Sequence, residues 1–432
     1  MLAKVNSRVA RSFAADHPNF RKLWIAQSIS ALGSQVTFVV FPLAALYALD
    51  ADAKEVGILS AVERLPFLLF GSFAGVLIDR WRSRRVLILM DWIRAVALGL
   101  IPALWLSHTL NIHWLYGVAF AVGACTVFFD IAYQSTLTSL VRPTDLLTAN
   151  RWLEASGSLA NVSGPGVAAV LLKVLSAPVT IAVDAFSFVV SALFIHSIRA
   201  PDPKPVVAHD ASIWQDFKSG LRFIFSTSLL KWNVAIIAMW NLLKSGLLAI
   251  FFVYLARDLK MSSASAAALV VVGSLGSFLG VAVVGRITRW FGLGWCIVLS
   301  MCAGSVGGAL LAAAGGSSWL AIAVVATGFA LISAAEPLFN INAISIRQMI
   351  TPTHLMGRTT GSMRFMVWGT LPVGALIAGF MGDALGARTT MVVIGLGFII
   401  PAALALMSPF RHVRSVSHLV VRDDFQLERE ST

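Results

Sequence analysis

Charge is what this chain has least of. Of 432 residues only 12% are Asp, Glu, Lys or Arg, while 58% are hydrophobic; an average soluble domain carries about 25% charge. That is too little charge to cover the two or three soluble domains that the length alone would suggest. Cysteine is scarce as well: Cys125, Cys296 and Cys302 are the only three, all in apolar runs and without metal-ligand spacing. They read as buried thiols, and neither a disulfide scaffold nor a metal site is expected. The first ~18 residues have no apolar core of a signal peptide, so insertion is expected to depend on the first spanning helix. Phosphate-cradling glycine loops, paired zinc-binding histidines, nucleophile elbows and dinucleotide fingerprints are missing. Transport driven by ATP bound on this chain is therefore disfavoured, and no catalytic residue or cofactor is expected.

What fills the chain instead is apolar runs of spanning length, about 20 residues for 30 Å of hydrocarbon. Twelve are read: 20–49, 56–78, 86–106, 114–141, 150–175, 179–198, 231–255, 263–287, 293–314, 319–346, 357–382 and 389–408. The fold class is an all-α membrane protein. The net charge of +12 is a topology signal. With span ends counted in their adjoining loops, 24 of the 33 Lys/Arg fall in segments assigned to the cytoplasm, five outside and four within spans, as cationic loops stay inside. That distribution uses up the basic excess that a nucleic-acid partner would need. Both termini are expected in the cytoplasm. The one long break, 199–230, opens with the proline-rich APDPKPVVAHD and continues into an amphipathic stretch, Ser212–Leu230. There Ile213, Trp214, Phe217, Leu221, Ile224 and Phe225 recur at helical spacing, which predicts a helix lying on the inner membrane surface and tethering the two halves.

The chain repeats itself. Gly71-Ser72-Phe73-Ala74-Gly75-Val76 returns as Gly276-Ser277-Phe278-Leu279-Gly280-Val281, and Pro143-Thr144-Asp145-Leu146 as Pro352-Thr353-His354-Leu355. Offsets near half the length predict two pseudo-symmetric six-helix bundles related by duplication. The expected domains are 1–198, a linker at 199–230, 231–408, and a cytoplasmic tail at 409–432.

Between the second and third spans lies GVLIDRWRSRR, where Asp79 is followed by Arg80, Arg82, Arg84 and Arg85. Twelve spans in a six-plus-six arrangement with this loop resemble the major facilitator superfamily of transporters. The family pattern falls on Gly75, Asp79, Arg80, Arg84 and Arg85; Arg82 stands where a glycine is usual. The resemblance implies that the acid joins basic residues and a helix N-terminus in a gating latch, an arrangement that guanidinium and helix dipole both stabilise. In the second half Gly285 replaces the acid before Arg286 and Arg289, so a symmetric latch is not expected. Gly164-Pro165-Gly166 resembles the Gly-Pro motif of the fifth helix in exporter branches; proline removes a helix hydrogen bond and glycine permits close packing. Phe20-Arg21-Lys22-Leu23-Trp24, Ala31-Leu32-Gly33, Glu63-Arg64-Leu65-Pro66-Phe67 and Asp184-Ala185-Phe186-Ser187-Phe188 are similar to the branch holding the enterobactin exporter and macrolide efflux proteins, although Ser34 stands where members often carry an acid.

Charges inside spans are costly and mark candidate sites. Glu63, Asp130 and Glu336 are the candidates for proton coupling; for Glu63 an ion pair with a neighbouring helix is the equal alternative. Lys244 either neutralises one of these acids or meets an anionic substrate, and Arg364 is either an anion contact or part of an inner gate. Asp91 and Arg94, three apart, are expected to pair within one helix, and Asp184 to be structural. Gln35, Phe38, Trp240, Asn241, Phe339 and Asn340 are candidates to line a central cavity. The resemblance implies a monomeric secondary transporter in the bacterial inner membrane. It would export a small amphiphilic organic molecule, drug or siderophore, in exchange for protons by alternating access among membrane lipids. A lipid or lysophospholipid translocase on the same fold, or a non-transporting receptor, are the alternatives.

Overall fold

The computed structural model describes residues 17–71, 81–142, 145–200, 213–315, 319–352 and 355–413. Every regular element among them is a helix, the outcome expected of a chain in hydrocarbon, where each backbone polar group must be satisfied within its own segment. The helices are α1 (Pro18–Ala48), α2 (Ala53–Phe70), α3 (Ser83–Leu106), α4 (Ile112–Leu140), α5 (Leu146–Leu171) and α6 (Ala177–Thr180, continued as Ala182–His196). They are followed by α7 (Ile213–Ser226), α8 (Ser228–Val253), α9 (Ser263–Phe291), α10 (Leu293–Ala313), α11 (Trp319–Ile350), α12 (Met356–Trp368), α13 (Thr370–Leu385), α14 (Ala387–Gly397) and α15 (Ile399–Met407).

Among the described residues ten stretches are long and apolar enough to span a membrane, with α12 and α13 forming one of them and α14 and α15 another. The other two expected spans also carry helices. α2 holds Lys54, Glu55, Glu63 and Arg64, and α5 is interrupted by Arg151, Glu154 and a run of Ser, Asn and Gly. These polar residues lower the hydropathy of both segments. The result is a multi-pass, all-α membrane protein.

Local chemistry sets the helix starts. Asp52 and Glu55 form a reciprocal capping box at α2: the Glu55 amide donates to Asp52 Oδ1 at 2.7 Å and the Asp52 amide to Glu55 Oε2 at 2.9 Å. The Asn111 side chain accepts from the amides of His113 and Trp114 at α4.

The chain forms two compact units. The first comprises Met1–Asp50 and Leu65–Asp210, the second Ala51–Arg64 and Ala211–Thr432. In the first, α1 packs on α5 and α6, and α3 on α4 and α6. Its core runs through Phe20 and Leu23 of α1, Leu87 of α3, Phe129 of α4 and Ile195 of α6. In the second, α11 packs on α9 and α10, and α8 on α13. Small residues make these approaches possible. A Cβ on Gly276 would stand 2.3 Å from the Ala330 carbonyl of α11, and one on Gly280 2.3 Å from that of Ala334. The repeated glycines thus seat α9 against the α11 backbone.

The amphipathic stretch departs from expectation in its partner. It is helical, but α7 packs on α12. Ser362 Oγ donates to the Phe217 carbonyl at 2.9 Å, Phe217 and Phe365 meet edge to face at 5.3 Å, and Ile224 is buried with Leu230, Val234, Met363 and Val367. An apolar stripe is satisfied by another helix as well as by lipid, so its periodicity does not name its partner.

Candidate functional site

In the first unit a cavity of about 490 Å³ lies between α1, α4 and α5. It is lined by Gln27, Ala31, Tyr133, Asn150, Arg151, Leu153, Glu154, Ser156 and Gly157. Trp24 fixes one wall: its indole N–H donates to Ser156 Oγ at 2.7 Å and its ring meets Trp152 edge to face at 5.0 Å. Gln27 Oε1 is buried and has no hydrogen-bond partner among the described residues. Both Glu154 and Asp130 act electrostatically on the Tyr133 phenol, and Arg151 on the wall stands against Glu154 in the balance of charge. Of its lining, the sequence reading named only Ala31, as part of a family motif, and none as a candidate site residue. The available signal was the three-residue spacing of Arg151, Glu154 and Gly157, which places them on one face of α5.

The predicted residues nearby have other places. Gln35 sits two turns along α1 from Gln27, where Gly164 of α5 closes on it; a Cβ at Gly164 would fall 2.3 Å from Gln35 Cβ. That contact gives the Gly164-Pro165-Gly166 segment a packing role, with Pro165 inside α5 and buried and Gly166 half-buried. Asp91 and Arg94 pair within α3, Arg94 Nη2 donating to Asp91 Oδ1 at 2.5 Å.

The basic loop is only partly described: Gly75, Asp79 and Arg80 lie outside the described residues. Arg85 is exposed. Arg84 has a definite task, its Nη1 donating to the carbonyls of Ile198 (2.9 Å) and Ala200 (2.8 Å), while Lys22 Nζ donates to the Ser197 carbonyl at 2.5 Å. Two cations therefore hold the chain as it leaves α6, Lys22 at the C-cap residue Ser197 and Arg84 at Ile198 and Ala200 just beyond it.

In the second unit the structure joins two of the predicted charges. Lys244 of α8 and Glu336 of α11 form an ion pair with side chains 27% and 28% exposed. Glu336 precedes Pro337, whose ring lies at the Gly280 contact with α9. Asn241, one turn before Lys244, donates to the Val367 carbonyl at 3.3 Å, and Asn340, one turn after Glu336, is half-buried.

Arg364 of α12 is exposed, its guanidinium 5.4 Å from the Trp368 ring. It lies within electrostatic range of Arg347 of α11, whose Nη1 contacts Met363 Sδ at 3.4 Å. No acid lies within ion-pair distance of either arginine among the described residues. Arg347 was missed because it ends an apolar run and reads as a topology marker.

Glu63 is half-buried and forms no ion pair among the described residues, and Asp130 is exposed near Tyr133. Two cavity candidates are corrected. Trp240 is buried against Gly304 and meets Phe398 edge to face at 5.1 Å, and Phe339 is buried in the core. Phe38 is half-buried.

Residues 23–372 match the model of the Major Facilitator Superfamily. The multidrug efflux pump Tap of Mycolicibacterium fortuitum is 24% identical over 392 residues, covering 87% of this chain and 92% of that one. Macrolide efflux protein A of Streptococcus pyogenes is 24% identical over 185 residues, 42% and 45% of the two chains. Among solved structures, the nucleoside transporter NupG superposes with a TM-score of 0.70 at 13% identity, covering 90% of this chain and 98% of that one. A bacterial homologue of the human lysosomal transporter Spinster, inward-facing and unoccupied, gives 0.63 at 16% identity, covering 96% and 98%. These likenesses extend the family match over nearly the full length: the chain belongs to the Major Facilitator Superfamily of transporters.

Proposed function

We propose that the protein is a secondary active exporter of small amphiphilic organic molecules, of the drug or macrolide type, driven by proton antiport and cycling by alternating access. It works as a monomer in the bacterial inner membrane with both termini in the cytoplasm, and exchanges its substrate with cytoplasm and membrane lipid. The observation that carries this reading is the Lys244–Glu336 ion pair within the spans of the second unit. A charge within a membrane span is tolerated when it is paired or functional, and this pair is accessible enough for a proton or a charged substrate to open it. Protonating Glu336 leaves Lys244 without its counter-charge, so proton uptake and rearrangement of α8 against α11 become one event. The named efflux relatives support the direction of transport. Glu63 and Asp130 remain further proton candidates, Arg364 and the Asn241 and Asn340 amides are proposed to contact substrate, and Asp79 with its arginines to latch the transporter.

The test is uptake into inverted membrane vesicles under an imposed proton gradient, with cationic dyes, macrolides and siderophores offered in turn. Gradient-driven uptake of a dye or macrolide is expected, and Glu336→Gln should abolish its dependence on the gradient. Flux of lipid without a gradient, or no saturable flux at all, would overturn the proposal. Asp79→Asn should lower transport without loss of insertion.

A further inference from the structure

A second set of charges in the first unit is more deeply buried than any other. Asp91 and Arg94 of α3 are 0% and 5% exposed and Asp184 of α6 is 1% exposed. Arg94 gives its short hydrogen bond to Asp91 alone. Its guanidinium is sandwiched between the rings of Phe129 and Phe188, 4.3 and 4.1 Å from their centres. Asp184 lies within electrostatic range of both partners but outside ion-pair distance of Arg94, and its Oδ1 accepts from Ser187 Oγ at 2.9 Å. The space it occupies exists because residue 33 of α1 is glycine: a Cβ there would stand 2.5 Å from Asp184 Oδ1 and 2.3 Å from Ser187 Oγ.

Every packed element contributes to this site. α1 brings Thr37, α3 Asp91 and Arg94, α6 Asp184, Ser187 and Ser191, and α4 Cys125, the other titratable group in electrostatic range among the described residues. The ledger of charge is one cation against two carboxylates. Arginine stays charged, so the imbalance falls on the acids, and an uncompensated carboxylate in such a place is strongly disfavoured. A structural lock needs only Asp91. The hydrogen bonding is also incomplete at the cation: Arg94 Nε is buried without a partner among the described residues, while Ser191 lies against Asp91 and Thr37 against Asp184.

We infer that Asp91, Arg94 and Asp184 form a buried proton site in which the two carboxylates share one proton, and that transport loads and unloads this proton. With the proton bound, Arg94 serves Asp91 alone and its Nε is idle, the arrangement observed. When the proton leaves, the second carboxylate draws on the idle Nε and Arg94 bridges α3 to α6. No bond other than O–H is made or broken, and the proton passes to water. The transport role rests on the antiport reading above; the protonation itself does not.

Infrared spectroscopy of the purified full-length protein in lipid at neutral pH separates the two. The native protein should show the carbonyl band of a protonated carboxyl that Asp184→Asn removes. Asp91→Asn should remove it too, although Asp184 remains, because one acid then faces one cation. A band that survives Asp91→Asn, or a native spectrum without one that Asp184→Asn removes, overturns the shared proton. In proteoliposomes with ethidium as probe, a gradient of one pH unit supports about ten-fold accumulation for one exchanged proton. Asp184→Asn should keep exchange at equal pH and lose most of that accumulation. Accumulation at the native level in Asp184→Asn overturns the coupling role. Native protein that accumulates no ethidium would count against antiport of this cation, and with it the coupling role, while the infrared band would still report the proton.

Discussion

The two units repeat the same short motifs and use their charges differently. In the first, Asp91, Arg94 and Asp184 are buried together, Arg94 between two aromatic rings, and a cavity opens beside α5. In the second, an ion pair stands partly exposed between α8 and α11, and two arginines near α12 have no acid within ion-pair distance among the described residues. What the duplication has in common is small residues at helix crossings, since these set how closely backbones approach. Charges add little to such packing and are free to diverge. A duplicated transporter can therefore keep one scaffold and place different chemistry in each half.

The comparison is broken most directly at the exposed pair. Lys244→Ala should leave Glu336 uncompensated within its span and reduce gradient-driven flux in vesicles by about an order of magnitude, an effect of about 1.4 kcal/mol and smaller than the ~3–5 kcal/mol of breaking a fully buried pair. The swap Lys244→Glu with Glu336→Lys should restore folding, read as thermal stability of the purified protein, and leave transport impaired. Full transport in the swapped protein would mean that the pair serves packing alone.

Next come the crossings. Gly164→Leu in the first unit and Gly276→Leu in the second should each lower stability by about 1–3 kcal/mol, because the added side chain meets Gln35 in one and the Ala330 carbonyl in the other. Gly157→Ala, with nothing within 4 Å of its Cβ, is the control and should leave the melting temperature unchanged. A large effect in only one unit would show that the crossings are not equivalent.

These positions also show how far the sequence can be read. Hydropathy located the spans, and the GSF repeat located α9 at its contact with α11, because both signals are local. The i, i+3 spacing of Asp91 and Arg94 made their pair legible for the same reason. Lys244 and Glu336 lie 92 residues apart, and nothing local distinguishes Glu336 from Glu63 or Asp130 as the partner. Trp240 and Phe339 read as cavity candidates because an aromatic in a span has the same signature whether it faces a lumen, lipid or the core. Glu154 and Gln27 were overlooked because they sit in the first turns of their spans, where polar residues are ordinary. Asp184 was read alone as structural; its meaning depends on Arg94, which comes from another helix.

A smaller effect is expected from the basic loop. Arg84→Ala removes two hydrogen bonds to the Ile198 and Ala200 carbonyls just beyond α6 and should cost about 1–2 kcal/mol, as such bonds contribute roughly 1 kcal/mol each. Arg85→Ala, whose side chain is exposed, should leave the melting temperature within error. If both lower transport equally while only Arg84→Ala lowers stability, the loop has a gating task beyond holding the chain that leaves α6.

The smallest effect should come from Glu154 in the cavity of the first unit. Glu154 is exposed on its wall, and a carboxylate in water at about 4 Å from a cation contributes only about 1 kcal/mol, close to five-fold in affinity. Glu154→Gln should therefore raise the half-saturating concentration of a cationic dye by several-fold and leave that of a neutral substrate unchanged. Arg364→Gln in the second unit should do the reverse, sparing the cation and weakening an anion. The two variants measured against both probes test whether the units divide the recognition of charge between them. If Glu154→Gln weakens the cation and the neutral substrate alike, the cavity's acid acts through packing or hydrogen bonding, and the electrostatic contrast between the units does not extend to substrate.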